Sequence, residues 1–296
     1  PVGQITKAMA EIPLCFMQEL KTLGLDEGAE TALLGYARRH LRRMSARAQE
    51  AYTGDVPNFP ICGLHPLGRL AVLIWKLAEI RACYEALGVS AEIIRETFSD
   101  VALRQRLFFQ KTGKYGLSRG DCVWLRHLAG TNIFKLGVLQ FQPMKMIYLE
   151  EYEDGRPFFV ISEAQKVRLP ASAPVLNVHI QKGADLRQKR VAESLNMAKG
   201  FFVRIFPAER FRAMVCYSWL LHPGLKTLLP PGSRILSFAG NFETVIETSD
   251  QQQALERIFG GRFRRRADYP RQTSLQQAAL KDLSSLGYAL GIIYLD

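Results

Sequence analysis

Near Gly130 the apolar residues stop recurring at helical spacing and begin to recur as strands do, so no fold built of one kind of element suits the whole chain. From Asp26 to about Tyr52, residues Ala29, Leu33, Leu34, Tyr36, Ala37 and Leu41 fall on one helical face, with Arg38, Arg39, Arg42 and Arg43 on the other. This spacing predicts one amphipathic helix. The loop TGDVPNFPICGLHP follows, and Pro66 opens an apolar helix that runs through Ala86 and is closed by Gly88. Ser90 and Ser99 are placed to cap two further helices, ending near Phe98 and Thr112. Beyond Gly130, NIFKLGVLQFQ, KMIYLEEYE and, past the turn Asp154-Gly155, RPFFVISEA read as three antiparallel strands.

A buried strand at Val175–Ile180, a helix from Leu186 to about Ile205 and a strand at Phe211–Cys216 come next, an order that implies a parallel pair joined by a crossover helix. A short helix from Pro223, a hairpin of RILSF and FETVIET, helices in DQQQALERIF and SLQQAALKDLSSLG, and a last strand YALGIIYL complete the expected order. The fold class is therefore α+β or mixed α/β: a helical domain over 1–130, then a mixed sheet with flanking helices over 131–296.

The net charge of +11 favours anionic partners without choosing among them. The basic run Gly260–Arg271 reads first as a solvated loop, and the second helix of EALGVSAEIIRETFSD carries Glu92 and Glu96 against Arg95, a poor surface for nucleic acid. Five scattered cysteines without a CxxC pair and five histidines without metal-binding spacing predict neither a disulfide framework nor a metal site. No apolar run reaches the roughly 20 residues that span a bilayer, and no leader opens the chain, so a cytoplasmic protein without membrane attachment is expected.

The segments GLSRGDCVWLRHLAGTNIFKLGVLQFQ, LNVHIQKGADL, MVCYSWLLHPGLKTLLPPGSRIL and TSLQQAALKDLSSLG carry a resemblance. In this order they resemble a bacterial two-domain branch of the GNAT-type acyltransferases, with a helical N-terminal domain and a divergent GNAT-like C-terminal domain. The chain departs from that pattern at Gln181, where relatives tend to have proline, at Tyr217 and His222, where they tend to have histidine and aspartate, and in lacking a QxxGxG or RxxGxG loop.

The resemblance implies acetyl-CoA or another acyl-CoA as donor substrate and an amine of unknown identity as acceptor. It also implies a pyrophosphate cradle in the loop after the central strand, at Gln181, Lys182, Gly183, Ala184 and Arg187, with Lys189 and Arg190 adding charge. The residues by themselves read first as a strand-to-helix turn capped by Asp185, with solvated basic residues. His179 is the candidate base, or else a hydrogen-bonded histidine at a strand end. Tyr217 or Ser218 is the candidate acid, while Trp219 reads as core and Ser218 alternatively as a helix cap. The other function open to such a chain is a catalytically inactive binding module that engages a protein or nucleic acid.

Overall fold

The computed structural model describes residues 12–52, 60–148 and 162–295. The chain divides into two compact units, one ending at Lys135 and the other beginning at Leu136.

The first unit holds α1 (Leu14–Leu23), α2 (Glu27–Arg39), α3 (Leu41–Glu50), α4 (Pro66–Ala86), α5 (Ala91–Thr112) and α6 (Arg119–Ala129). Helix α4 is buried nearly all round, as the continuous apolar run Leu70–Ile74 requires. Asp26, Ser90 and Ser118 cap α2, α5 and α6 with side-chain oxygens. The single helix expected over Asp26–Tyr52 is instead two, broken at His40 (φ −122°, ψ 21°), whose ring packs 4.4 Å from that of Tyr36. Ser99 starts no helix either. It lies within the unbroken α5, and its hydroxyl donates back to the Glu96 carbonyl at 2.6 Å, a local bond that a mid-helix serine makes as readily as a cap.

Six strands follow these helices, the first of them spanning the division: β1 (Phe134–Leu136), β2 (Leu139–Lys145), β3 (Pro174–His179), β4 (Ala213–Ser218), β5 (Glu243–Thr248) and β6 (Tyr288–Tyr294). They form one sheet in the order β1-β2-β3-β4-β6-β5. The pair β3–β4 is parallel, and β2–β3, β4–β6 and β5–β6 are antiparallel. The helices of the second unit are α7 (Glu163–Arg168), α8 (Gln188–Ile205), α9 (Leu225–Leu228), α10 (Arg234–Ala239), α11 (Gln252–Phe259) and α12 (Ser274–Ala279).

The crossover helix α8 covers one face of the sheet. Phe202, 1% exposed, meets Phe141 of β2 edge-on at 6.3 Å and Phe211 at 5.5 Å. Gly137 (φ +65°) turns the chain from β1 into β2 where a Cβ would lie 2.5 Å from Ser194 Oγ, and that hydroxyl accepts the Val138 N–H at 2.8 Å. The opposite face carries an apolar cluster that includes Val175, Ala213, Val215, Leu290 and Ile292.

Two further expectations change. RILSF is helix α10, capped by Ser233 after the turn at Pro230–Gly232, so β5 takes β6 and not RILSF as its partner. Of RPFFVISEA, residues 156–161 lie outside the described residues, and Glu163 and Ala164 begin α7 under a Ser162 cap instead of ending a strand. Of KMIYLEEYE, Lys145 ends β2, the Met146 N–H donates to Ala173 at 2.8 Å, and residues 149–153 lie outside the described residues, as does the Asp154-Gly155 turn.

Candidate active site

Strands β3 and β4 pair in parallel register from Val175↔Ala213 to Asn177↔Val215, and there the register ends. Both strands continue. His179 of β3 still pairs with Gln140 of β2, and Tyr217 and Ser218 of β4 still pair with Leu290 and Ala289 of β6. The parallel ladder therefore stops short of the C-terminal ends of both strands, each of which is still paired on its outer side, the place where open α/β sheets receive ligands.

Directly opposed residues in a ladder project from one face, so Gln140 and His179 stand together on the face away from α8, with Gln142, Asn177 and Val215 in the row behind, and alternation from Val215 puts Tyr217 on the same face. His179 is half-buried, and its Nε2 lies 2.9 Å from Gln142 Oε1. An amide oxygen only accepts, so Nε2 carries a proton in this arrangement. The Tyr217 hydroxyl donates to the Ile147 carbonyl at 3.1 Å, and burial pushes its pKa up, with the neighbouring Tyr148 adding to the shift, so the phenol stays protonated.

Ser218 parts company with these two. Alternation turns it to the other face, where it is 5% exposed and its Oγ accepts the Leu220 N–H at 3.2 Å, capping a single turn of 3-10 helix at Trp219–Leu221. The Trp219 N–H is taken by Gln253 Oε1 at 2.9 Å, and its side chain packs on the apolar cluster around Leu225 and Leu255. Burial also raises the Cys216 thiol on the α8 side, leaving it an inert core group.

The loop after β3 begins with a turn in which the Ala184 N–H donates to the Gln181 carbonyl at 3.1 Å and Gly183 takes φ +84°, the third position of a type II turn. Lys182 and Gly183 are exposed, while Gln181 and Ala184 are half-buried. The cap expected at Asp185 is not formed. Arg187 is the residue before the helix, no side chain caps α8, and the Asp185 carboxylate instead accepts the Arg187 backbone N–H at 3.2 Å and pairs with the Arg187 guanidinium. That guanidinium holds the Asp185 carboxyl below its ordinary range.

The first turn of α8 carries no acidic residue, and the carboxylate in front of it, that of Asp185, is paired with Arg187. Beside them a depression of about 290 Å³ is lined by Arg187, Lys189, Arg190 and Glu193. Gln188 ties the start of α8 to α10 through Asn241 (3.1 Å) and Ser237 (2.9 Å). The sequence reading missed Gln140, Gln142 and Gln188. The signal for the first two was there, since two glutamines one residue apart in an apolar strand must share a face.

In the exposed basic run after α11, two arginines are committed to the protein: Arg265 pairs with Asp268 at 3.1 Å and Arg266 reaches the carbonyls of Leu280 and Lys281, while Tyr269 is buried against Phe259. Among the described residues there is no group of three His, Cys, Asp or Glu able to hold a metal, and no helix is long and apolar enough to cross a membrane.

A helical unit followed by a mixed sheet whose central parallel ladder stops short of its strands' C-terminal ends defines a GNAT-like protein. The sequence matches the N-acyltransferase N-terminal domain over residues 17–130 and the GNAT-like C-terminal domain over residues 133–292, and the chain belongs to this two-domain family. Comparison with curated protein sequences gives no match. Among solved structures, the fold is similar to a crystal structure of an acyltransferase in complex with decanoyl-CoA (TM-score 0.73, 20% identity, 95% of this chain and 87% of that one). It is also similar to an acyltransferase in complex with decanoyl-CoA and teicoplanin (TM-score 0.63, 20% identity, 97% and 85%).

Proposed function

We propose that this protein transfers an acyl group from acyl-CoA to an amine, with the thioester seated in a wedge between the C-terminal ends of β3 and β4. The observation that carries the reading is the end of the parallel register at Asn177↔Val215 while both strands run on. The family and the acyl-CoA complexes of similar folds support it.

In this reading His179 accepts a proton from the incoming ammonium, and the freed amine nitrogen attacks the thioester carbonyl carbon. The C–N bond forms as the carbonyl becomes an oxyanion, which backbone N–H groups at the wedge stabilise. Collapse breaks the C–S bond and releases the CoA thiolate; Tyr217, on the same face as His179, gives it the proton that makes it a thiol and takes back the second proton of the nitrogen, leaving a neutral amide, while His179 returns its proton to solvent. Ser218 caps its turn and takes no part. The loop Gln181–Asp185 and the first turn of α8 hold the pyrophosphate, with Gly183 giving the backbone its turn and Lys182, Lys189 and Arg190 the charge; Arg187 serves mainly to hold Asp185. The division near residue 130 separates the helical domain from this catalytic one, and a CoA donor places the reaction in the cytoplasm.

Calorimetric titration with decanoyl-CoA and with free CoA tests the reading. Micromolar binding of either supports it. No heat at millimolar ligand, together with no thermal shift, removes it.

A further inference from the structure

Gln140, the second residue of β2, is 1% exposed, and its side-chain Nε2 has no hydrogen-bond partner among the described residues. Gln105 Nε2, in the helical unit, is another buried amide in that condition among the described residues. An unpaired buried N–H2 works against folding, and leucine or methionine would fill the same volume without that penalty. Gln140 stands directly opposite His179 in the β2–β3 register, and directly opposed side chains lie within about 5 Å of each other at Cβ. It is therefore a hydrogen-bond donor without a partner, next to the candidate base.

Its side of that base matters. Gln140 is on the β2 side of His179 and the proposed wedge on the β4 side, so a thioester in the wedge lies on the Tyr217 side of His179. The molecule that gives its proton to the imidazole has to stand over His179 itself, and a donor on β2 reaches that molecule and not the thioester.

We propose that Gln140 is a recognition residue for the acyl acceptor, its Nε2–H donating to a hydroxyl, carbonyl or carboxylate oxygen carried beside the reacting amine. This rests on the acyl-transfer reading above. Binding of such an acceptor pairs the amide that the free protein leaves unpaired, whereas an amine without the oxygen leaves it buried and unpaired in the complex, which is how a polar pocket rejects an analogue.

The experiment uses decanoyl-CoA as donor and two amines of matched shape, 2-aminocyclohexanol and cyclohexylamine, with the wild type, Gln140→Met and Gln140→Leu. The wild type is expected to favour 2-aminocyclohexanol in kcat/KM by about tenfold, the worth of one hydrogen bond, and each folded variant to bring the ratio to about one. Calorimetric binding of decanoyl-CoA should be the same in all three. A wild type with equal rates for the two amines, including none with either, overturns the proposal, and so does a preference that survives in a variant. If neither variant folds, the amide is structural and the proposal also falls. Failure of the wild type to bind decanoyl-CoA removes the acyl-transfer reading and this inference with it, whereas binding without a preference removes this inference alone.

Discussion

His179 Nε2 meets Gln142 Oε1 at 2.9 Å on a diagonal across the β2–β3 pair, since Gln142 is opposite Asn177 and Gln140 opposite His179. This contact orients the ring, which makes Gln142 a positioning residue for the proposed base. His179→Ala is expected to lower kcat by about 10²–10⁴-fold while leaving acyl-CoA affinity unchanged. Gln142→Leu should cost about tenfold. Gln142→Glu places a carboxylate against the imidazole, which favours the charged ring and raises its pKa, so the acid limb of the pH–rate profile moves to higher pH. Steady-state rates between about pH 5 and 9 check all three.

Tyr217 and Ser218 are adjacent in sequence but sit on opposite faces of β4, and single substitutions separate their roles. Tyr217→Phe removes the hydroxyl that faces the His179 side and should lower kcat by about 10²-fold with little change in stability. Ser218→Ala removes the acceptor for the Leu220 N–H and should lower stability by about 1 kcal/mol with kcat unchanged. Thermal denaturation beside steady-state kinetics distinguishes the two outcomes.

Asp185 and Arg187 neutralise one another in front of the uncapped start of α8. Asp185→Asn frees the guanidinium and removes a negative charge from the proposed phosphate site, so affinity for CoA should rise by about two- to fivefold, a size set by how little exposed ion pairs are worth. Lys189→Ala should lower it by a similar factor. Both effects shrink as salt rises, since the groups are exposed, and calorimetry at low and at physiological ionic strength checks the sign and the screening.

The change of period near Gly130 and the strand-helix-strand order at Val175–Cys216 were legible because each spans many residues of one pattern, and they carry the fold and the parallel pair. The places that escaped are those where a single local bond decides. His40 breaks a helix without glycine or proline, Ser99 bonds backwards inside one, and Ser233 caps RILSF into a helix although its apolar residues suit a strand. Asp185 has the composition of a cap and the position of a partner for Arg187. At the site, His179 and Tyr217 could be placed by alternation alone, whereas their partners Gln142 and Ile147 come from other segments and required the register. Gln140 was hidden for a related reason: an unpaired buried amide is a property of its surroundings and not of its residue type.

In the helical unit Arg81 of α4 forms a two-toothed pair with Glu19 of α1, both contacts at 2.7 Å, and its guanidinium lies 5.0 Å over the Phe98 ring. Glu19 is 6% exposed and holds the Arg81 pKa up. Arg81→Met leaves that carboxylate buried without its cation and should destabilise the protein by about 3 kcal/mol. Glu19→Met combined with Arg81→Met removes both charges and should recover most of the loss. Urea denaturation of the two single variants and the double variant measures the coupling.

His127 of α6 gives the fold a defined dependence on acid. Burial, with Arg126 contributing, lowers its pKa from 6.5 to about 4, and its ring packs edge-on against Trp124 at 5.5 Å. Above about pH 6.5 the ring is neutral in both folded and unfolded chains and pH has no effect through it. Between about 6.5 and 4 the unfolded chain binds a proton that the folded chain refuses, so stability falls as pH falls through that window and changes no further once the folded ring also protonates. Solvent reaches the ring, which limits the loss to about 1–2 kcal/mol. His127→Gln cannot titrate, and the difference in melting temperature between it and the wild type should therefore be constant above pH 6.5 and shift in favour of the variant as pH is lowered toward 4.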